Sequence, residues 1–287
     1  MKFAYLITAH KETSILHYLL RMIDNEDNDI YIHWDLKSAI PNGLVNTVSK
    51  SKIKFVEERY DVRWGNISQV QAEYALFKTA YNSHEPYDYF HLISAADIPI
   101  KSNVYMQSFF KKNEGKNFIG FCKQPLANRV KYKHLFINRL RGRNRLYAYC
   151  DDAYVLIQKI FKKENPGLKG KTIAKGPNWC SVTKQFVEVL IQKERWVIDT
   201  FAKAKNPDEY YKQTVALNED FISTVFDMND EYRGCQRLID WNRGKPYCWV
   251  LSDLGEIVKS DYLFCRKIED EQLAEALYNE ITLQENG

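Results

Sequence analysis

Glu219, in the stretch "ALNEDFISTVF" (216–226), is the first residue whose type and setting could do chemistry. Asn218 is a good helix N-cap, and Phe221, Ile222, Val225 and Phe226 follow at helical spacing. The pattern predicts a helix with Glu219 at its first position, where the helix dipole favours negative charge. Acidic first turns are common, so these residues leave two readings open: a helix start, or a carboxylate aimed at a substrate proton. A second group is basic. "DWNRGKPYCW" (240–249) puts Arg243 and Lys245 in a Gly- and Pro-containing loop flanked by tryptophans, and "SDYLFCRKI" (260–268) puts Arg266 and Lys267 after an apolar run. Cations at the exit of a buried strand can meet a phosphate, or can simply be solvated.

Other chemistries lack their signatures. No G-x-G-x-x-G follows the first apolar run and no Walker loop occurs. The G-x-S-x-G elbow and H-E-x-x-H are also absent. The one strict Asp-x-Asp, Asp27-Asn28-Asp29, leads into a strand and reads as a polar turn. Six cysteines (122, 150, 180, 235, 248, 265) contain no C-x-x-C pair, so neither a zinc site nor a disulfide framework is indicated.

The elements that must carry these residues alternate. "FAYLITAH" (3–10), "DIYIHWD" (29–35), "KIKFVEE" (52–58), the strand within "YDYFHLISAADIP" (87–99) and "NFIGFC" (117–122) read as strands, with helices at about 13–23 and 66–84. The order predicts an α/β fold with a mostly parallel sheet and helices on both faces. Ligands of such sheets bind beyond the carboxyl ends of the strands, which directs attention to His10, Asp35 and the Ser94–Asp97 loop.

Composition sets the class. The 287 residues are 45% hydrophobic and 14% aromatic, with 19 Tyr and 6 Trp, enough for a large core and for stacking on rings or sugars. A net charge of +4 is too mild for a general nucleic-acid binder. With no spanning run and no leader-like start, the expected location is cytoplasmic. One segment stands apart: 128–147 crowds Arg129, Lys131, Lys133, Arg139, Arg141, Arg143 and Arg145 among aromatic and apolar residues, which predicts peripheral contact with an anionic membrane face.

Taken in order, "AYLITAHKE", "YIHWDLKS", "VRWGNISQVQA", "YFHLISAADIPIKS", "KGPNWCSVT", "NEDFISTVF" and "DYLFCRKI" resemble the core-2/I-branching enzymes, glycosyltransferase family 14, which also includes the peptide xylosyltransferases. The resemblance implies a GT-A-type Rossmann-like sheet. It also implies a single domain, 1–287, with a nucleotide-binding half (1–122), a basic insertion (123–175) and an acceptor and catalytic half (176–287). The implied activity is inverting, metal-independent and cofactor-free transfer from a UDP-sugar to a glycan hydroxyl. UDP-N-acetylglucosamine comes first among donors, followed by UDP-xylose and UDP-hexoses, and the acceptor is a surface-glycan intermediate carried on lipid. The family's Asp/Asn-Glu-x-x-x-x-Thr motif then falls on Glu219 and Thr224, making Glu219 the base. Donor contacts are implied for His10, Asp35, Trp64, Ser94, Asp97, Lys267 and either Arg243 or Lys245. Acceptor contacts are implied for Asn178, Trp179 and Trp241, with core packing the other reading of Trp179. No metal ligand and no nucleic-acid partner are expected. The sequence departs from the family where Ser94-Ala95-Ala96-Asp97 lacks the usual glycine and where Pro177-Asn178 replaces the common Ser and Gln.

Overall fold

The computed structural model describes residues 1–123, 128–135, 137 and 145–286. The first strand, β1 (Phe3–Ala9), is apolar at nearly every position, as a strand covered on both faces must be. It lies at the centre of a five-stranded sheet between β2 (Asn28–Trp34) and β4 (Tyr89–Ser94), parallel to both. β3 (Lys52–Phe55) extends the parallel set on the β2 side. The remaining edge is β6 (Cys180–Thr183), antiparallel to β4, with Leu92 opposite Cys180. The expected fold class is observed. One strand assignment is corrected: 117–122 forms only isolated bridges, Asn117 to Val225 and Phe118 to Ser181, and 180–183 takes the sheet position.

Helices cover both faces. α1 (Ser14–Met22) starts where the Thr13 hydroxyl accepts the Leu16 N–H, and α2 (Ile67–Tyr81) starts where Asn66 accepts the Ser68 N–H. α3 (Asn103–Lys112), with α1, closes one face over Leu19, Phe110 and Phe118. The short α4 (Asn128–Lys131) and α5 (Arg145–Ile160) follow, then α6 (Lys184–Gln192), α7 (Glu194–Phe201) and α8 (Tyr211–Asn218). α2 and α6–α8 pack the opposite face around Val70, Phe77, Phe186 and Tyr211.

A second, three-stranded sheet has the order β5 (Ile98–Pro99), β8 (Phe264–Arg266), β7 (Arg237–Ile239). α9 (Glu231–Cys235) leads into it, and α10 (Leu254–Lys259) and α11 (Glu271–Asn286) cover it around the fully buried Trp249. Arg237, also fully buried, ties the sheets together: its guanidinium donates to the carbonyls of Cys235 (2.7 Å) and Cys180 (2.9 Å) and to Ser181 Oγ (3.1 Å).

The helix expected to begin at Glu219 is not formed. α8 ends at Asn218, Glu219 is its C-cap, and Asp220 turns the chain at φ = 62°. Asn218 does not cap a following helix. Its Nδ2 donates to Thr214 O (2.7 Å) and Thr172 O (2.8 Å), and its Oδ1 accepts the Thr172 N–H. The apparent helical period downstream comes from two packing partners: Phe221 lies against Phe186, while Phe226 lies against Phe118.

Candidate active site

A cleft of about 630 Å³ opens beyond the carboxyl end of β4. Three regions frame it: Lys175–Trp179, leading into β6; the Asn206–Glu209 turn before α8; and, at the second sheet, Trp241 and Lys245 of the loop after β7 with Arg266 of β8. Trp64, just before α2, adds an exposed indole at the rim.

The turn carries a carboxylate that the sequence reading did not single out. Asn206 adopts φ = 52°, a conformation Asn tolerates, and its N–H bonds Gly65 O (3.0 Å), tying the turn to the Trp64 loop. Pro207 then starts a 3₁₀ turn that leads into α8 and places Glu209 on the cleft wall. The Glu209 carbonyl accepts from Gly176 (2.9 Å), where a Cβ would stand only 1.9 Å from the Gly120 carbonyl; only glycine lets the two backbones pass. Glu209 Oε2 lies 3.3 Å from Lys175 Nζ and 3.8 Å from an Arg129 guanidinium nitrogen. It is buried, yet accepts no well-aligned hydrogen bond among the described residues. The side chain as a whole is 28% exposed, so the carboxylate, though not this oxygen, can meet a hydroxyl delivered through the cleft and take its proton.

Beneath the turn lies a buried polar cluster. Lys212 Nζ contacts Glu73 Oε2 (2.8 Å) and Asn178 Oδ1. The Tyr211 hydroxyl donates to Glu73 Oε2 (2.7 Å), and Asn178 Nδ2 donates to Glu73 Oε1 (2.7 Å). Asn178, expected to meet an acceptor, therefore spends both amide atoms on Glu73 and Lys212 and positions the neighbouring Trp179. Burial pushes the Asp208 carboxyl up to about 8, reinforced by Glu73 and Glu209 and opposed by Lys212. The folded protein then holds a proton on Asp208 that the unfolded chain releases near pH 4, so this group's stabilisation is complete below pH 4 and is lost as pH rises toward 8. Asp208→Asn is expected to flatten the fall in stability between pH 5 and pH 8 relative to wild type. Urea midpoints across that range test it, and parallel curves would refute it.

The other expected site residues separate into two sets. Trp179, Trp241, Trp64, Asn178 and Lys245 line the cleft. Arg266 also lines it, stacked 4.5 Å over Trp179 and held by Asp97 at 2.9 and 3.0 Å. The Ser94 hydroxyl donates to Asp97, which is fully buried and holds that arginine; neither Ser94 nor Asp97 is among the cleft residues. Between Arg243 and Lys245 the structure distinguishes: Arg243 is bound by Asp240, Asp253 and Glu256, outside the cleft, and Lys245 is in it. Lys267 pairs with Glu269 and is not among the cleft residues. Glu219 also lies outside, 2.8 Å from Lys193 and 3.7 Å from Lys171; ion pairing to a neighbouring helix end explains its charge.

His10 and Asp35 stand at the ends of β1 and β2 as expected but do not line the cleft. Asp35 Oδ1 accepts the Lys37 N–H (2.8 Å), and His10 is exposed. Cys122, at the cleft wall, gives its hydrogen bond to Glu231, and burial beside that carboxylate pushes the thiol up to about 12, unsuited to nucleophilic attack. Among the described residues no group of three or more His, Cys, Asp or Glu side chains converges to hold a metal ion. No helix among them is long and apolar enough to cross a membrane.

The signal for Glu209 was present in the sequence. Asp208-Glu209 followed by Thr214 has the same Asp/Asn-Glu-x-x-x-x-Thr spacing as 218–224, and Asn206-Pro207 before it is a stronger helix-start signature.

Comparison with known proteins agrees with the resemblance. Residues 3–257 match the profile of the family described as Core-2/I-Branching enzyme. Curated relatives include a xylosyltransferase of Ciona intestinalis, 24% identical over 94% of this chain and 32% of its own length. Human xylosyltransferase 1 is 24% identical over 85% of this chain and 24% of its own length. The chain thus spans about a third or less of these relatives. Among solved structures, mouse xyloside xylosyltransferase 1 in its apo form aligns over 92% of this chain and 97% of its own, with a TM-score of 0.39 and 10% identity.

Proposed function

The chain belongs to the Core-2/I-branching enzyme family, and on that premise we propose that its cleft transfers a sugar from a UDP-sugar to a glycan hydroxyl, with Glu209 as the base. The observation that carries this reading is the partly exposed Glu209 carboxylate on the wall of a cleft that three tryptophans also line, together with Lys245, Arg266, Lys175 and Arg129. Glu209 takes the acceptor proton as the acceptor oxygen bonds the anomeric carbon. The bond from that carbon to the diphosphate oxygen breaks on the opposite face, inverting the configuration. The departing diphosphate gains one negative charge as that bond breaks, and fixed cations meet it without reorganisation. Lys245 is assigned to that role and Trp179, under Arg266, to the sugar face. The nucleoside is assigned to the strand ends at His10 and Asp35. The transfer proceeds without a metal or other cofactor.

The donor is assigned as UDP-N-acetylglucosamine, and the acceptor as a lipid-carried glycan at the cytoplasmic membrane face. UDP-xylose is the second reading, favoured by the named activity of the curated relatives. A thermal-shift series of UDP-sugars separates the two, since the true donor raises stability by mass action. Lys245→Ala is expected to weaken UDP binding at least ~10-fold, the scale of a charge-assisted phosphate contact, and to leave uridine binding nearly unchanged. Lys267→Ala is expected to change neither, and activity to persist in excess EDTA. Equal losses for UDP and uridine, or strict Mn²⁺ dependence, would overturn this assignment.

A further inference from the structure

α5 is packed with its polar side inward. Asp151 is fully buried, contacting His134 Nδ1 (2.9 Å), the Leu135 N–H (2.7 Å) and Lys205 Nζ (2.6 Å). Gln158, two turns on, bonds the Lys133 backbone through both its amide atoms. With about 100° per residue, Leu146, Tyr149, Ala153, Leu156, Ile157 and Ile160 fall on the opposite stripe. They face solvent: Leu146 is 65% exposed, Tyr149 69% and Ile160 66%, and Phe161, bonded to Ile157 O, continues the stripe at 67%. The usual logic of a surface helix, apolar side to the core, is inverted.

Charge identifies what covers this stripe. Between 145 and 164 the exposed charges are Arg145, Lys159, Lys162 and Lys163 against the carboxylates of Asp152 and Glu164, the latter paired with Lys131. A groove of about 410 Å³ opens at the end of the stripe, with Ile157 and Phe161 as apolar wall and Lys133, Lys163 and Glu164 as its charged lining. A second copy of the chain would set cationic rim against cationic rim. An anionic lipid surface supplies both what the lysines need and an apolar layer for the stripe.

We propose that α5 is an interfacial helix that lies in the surface of an anionic membrane through Leu146, Tyr149, Leu156, Ile157, Ile160 and Phe161, with its flanking lysines on lipid phosphates. The contact overlaps the basic segment singled out in the sequence only at Lys133, Arg145 and Leu146. Arg139, Arg141 and Arg143 lie outside the described residues, Lys131 pairs with Glu164 (2.8 Å), Arg129 faces Glu209, and Tyr132 is buried. Docking through α5 also orients the cleft. Lys205, which Asp151 holds, adjoins the Asn206–Glu209 turn, and its N–H bonds Arg129 O (2.9 Å). The proposal stands whichever sugar is transferred.

Flotation of the full chain with phosphatidylglycerol–phosphatidylcholine vesicles, and with phosphatidylcholine alone, tests it. Wild type is expected to float with the anionic vesicles only. The triple change Lys159→Gln, Lys162→Gln, Lys163→Gln lowers partitioning on the order of 100-fold, about fivefold per charge. The triple change Leu156→Ser, Ile157→Ser, Ile160→Ser abolishes it even at low salt. All six positions are exposed and outside the cleft, so melting temperature and UDP affinity should stay at wild-type values in both variants. Wild type remaining in the soluble fraction would overturn the proposal, as would unimpaired flotation of the serine variant. A sedimentation dimer that the serine substitutions dissolve would equally overturn it, by assigning the stripe to self-association.

Discussion

Glu209→Gln is expected to slow sugar transfer by at least ~10²-fold, the scale on which a positioned base acts, while UDP-sugar binding and melting temperature stay near wild type. The amide keeps the size of the side chain and removes the proton acceptor. The wall made by Gly176 and the Asn206 turn depends on Glu209 backbone atoms, so the site should remain assembled. Glu219→Gln is the matched control, with the same chemistry at a residue paired with Lys193 outside the cleft, and its rate is expected within a few-fold of wild type. Steady-state and single-turnover rates with one donor and acceptor decide between them. If Glu219→Gln loses the activity and Glu209→Gln keeps it, the assignment is reversed. If neither loses it, the base lies elsewhere. Loss of UDP-sugar binding by Glu209→Gln would instead indicate a ground-state role.

The contrast between these glutamates shows what the sequence could tell. The central strands are visible because burial on both faces demands continuous apolar runs, as in Phe3–Ala9, and α1 and α2 because Thr13 and Asn66 are caps with a repeating apolar face behind them. A candidate carboxylate was legible as well, near a helix start in a spaced motif. Its address was ambiguous because the spacing occurs twice. What decides between the copies is non-local: Asn218 bonds Thr172, 46 residues away in sequence, and so ends a helix where local pattern starts one. The second sheet escaped for a similar reason, since strands of two or three residues such as Ile98–Pro99 carry too little alternation to read. α5 has a readable apolar stripe, but periodicity reports that a helix has two sides and not which one faces the core.

Lys212→Ala is expected to destabilise the protein by roughly 3–5 kcal/mol, the cost of leaving one partner of a buried ion pair alone. Lys212 and Glu73 are both fully buried, and Glu73 sits on α2 while Lys212 sits on α8, so the pair joins two layers of the fold. Removing the ammonium leaves Glu73 with the Tyr211 hydroxyl and the Asn178 amide as its remaining donors among the described residues, and removes a cation that opposes the raised carboxyl of Asp208. Asn178 Oδ1 loses its donor as well, freeing the segment that holds Trp179 against Arg266. The damage should therefore reach the cleft, with UDP-sugar affinity falling beyond what the unfolded fraction explains. Lys212→Met combined with Glu73→Leu separates charge from packing. It removes both ions while keeping apolar volume, and replacements of that kind are often close to neutral. Urea unfolding of the single and double variants measures the coupling. A single variant within ~1 kcal/mol of wild type would mean that water reaches Glu73. A double variant as unstable as the single one would place the value of this cluster in the Asn178 and Tyr211 hydrogen bonds that Glu73 accepts, and not in the ion pair.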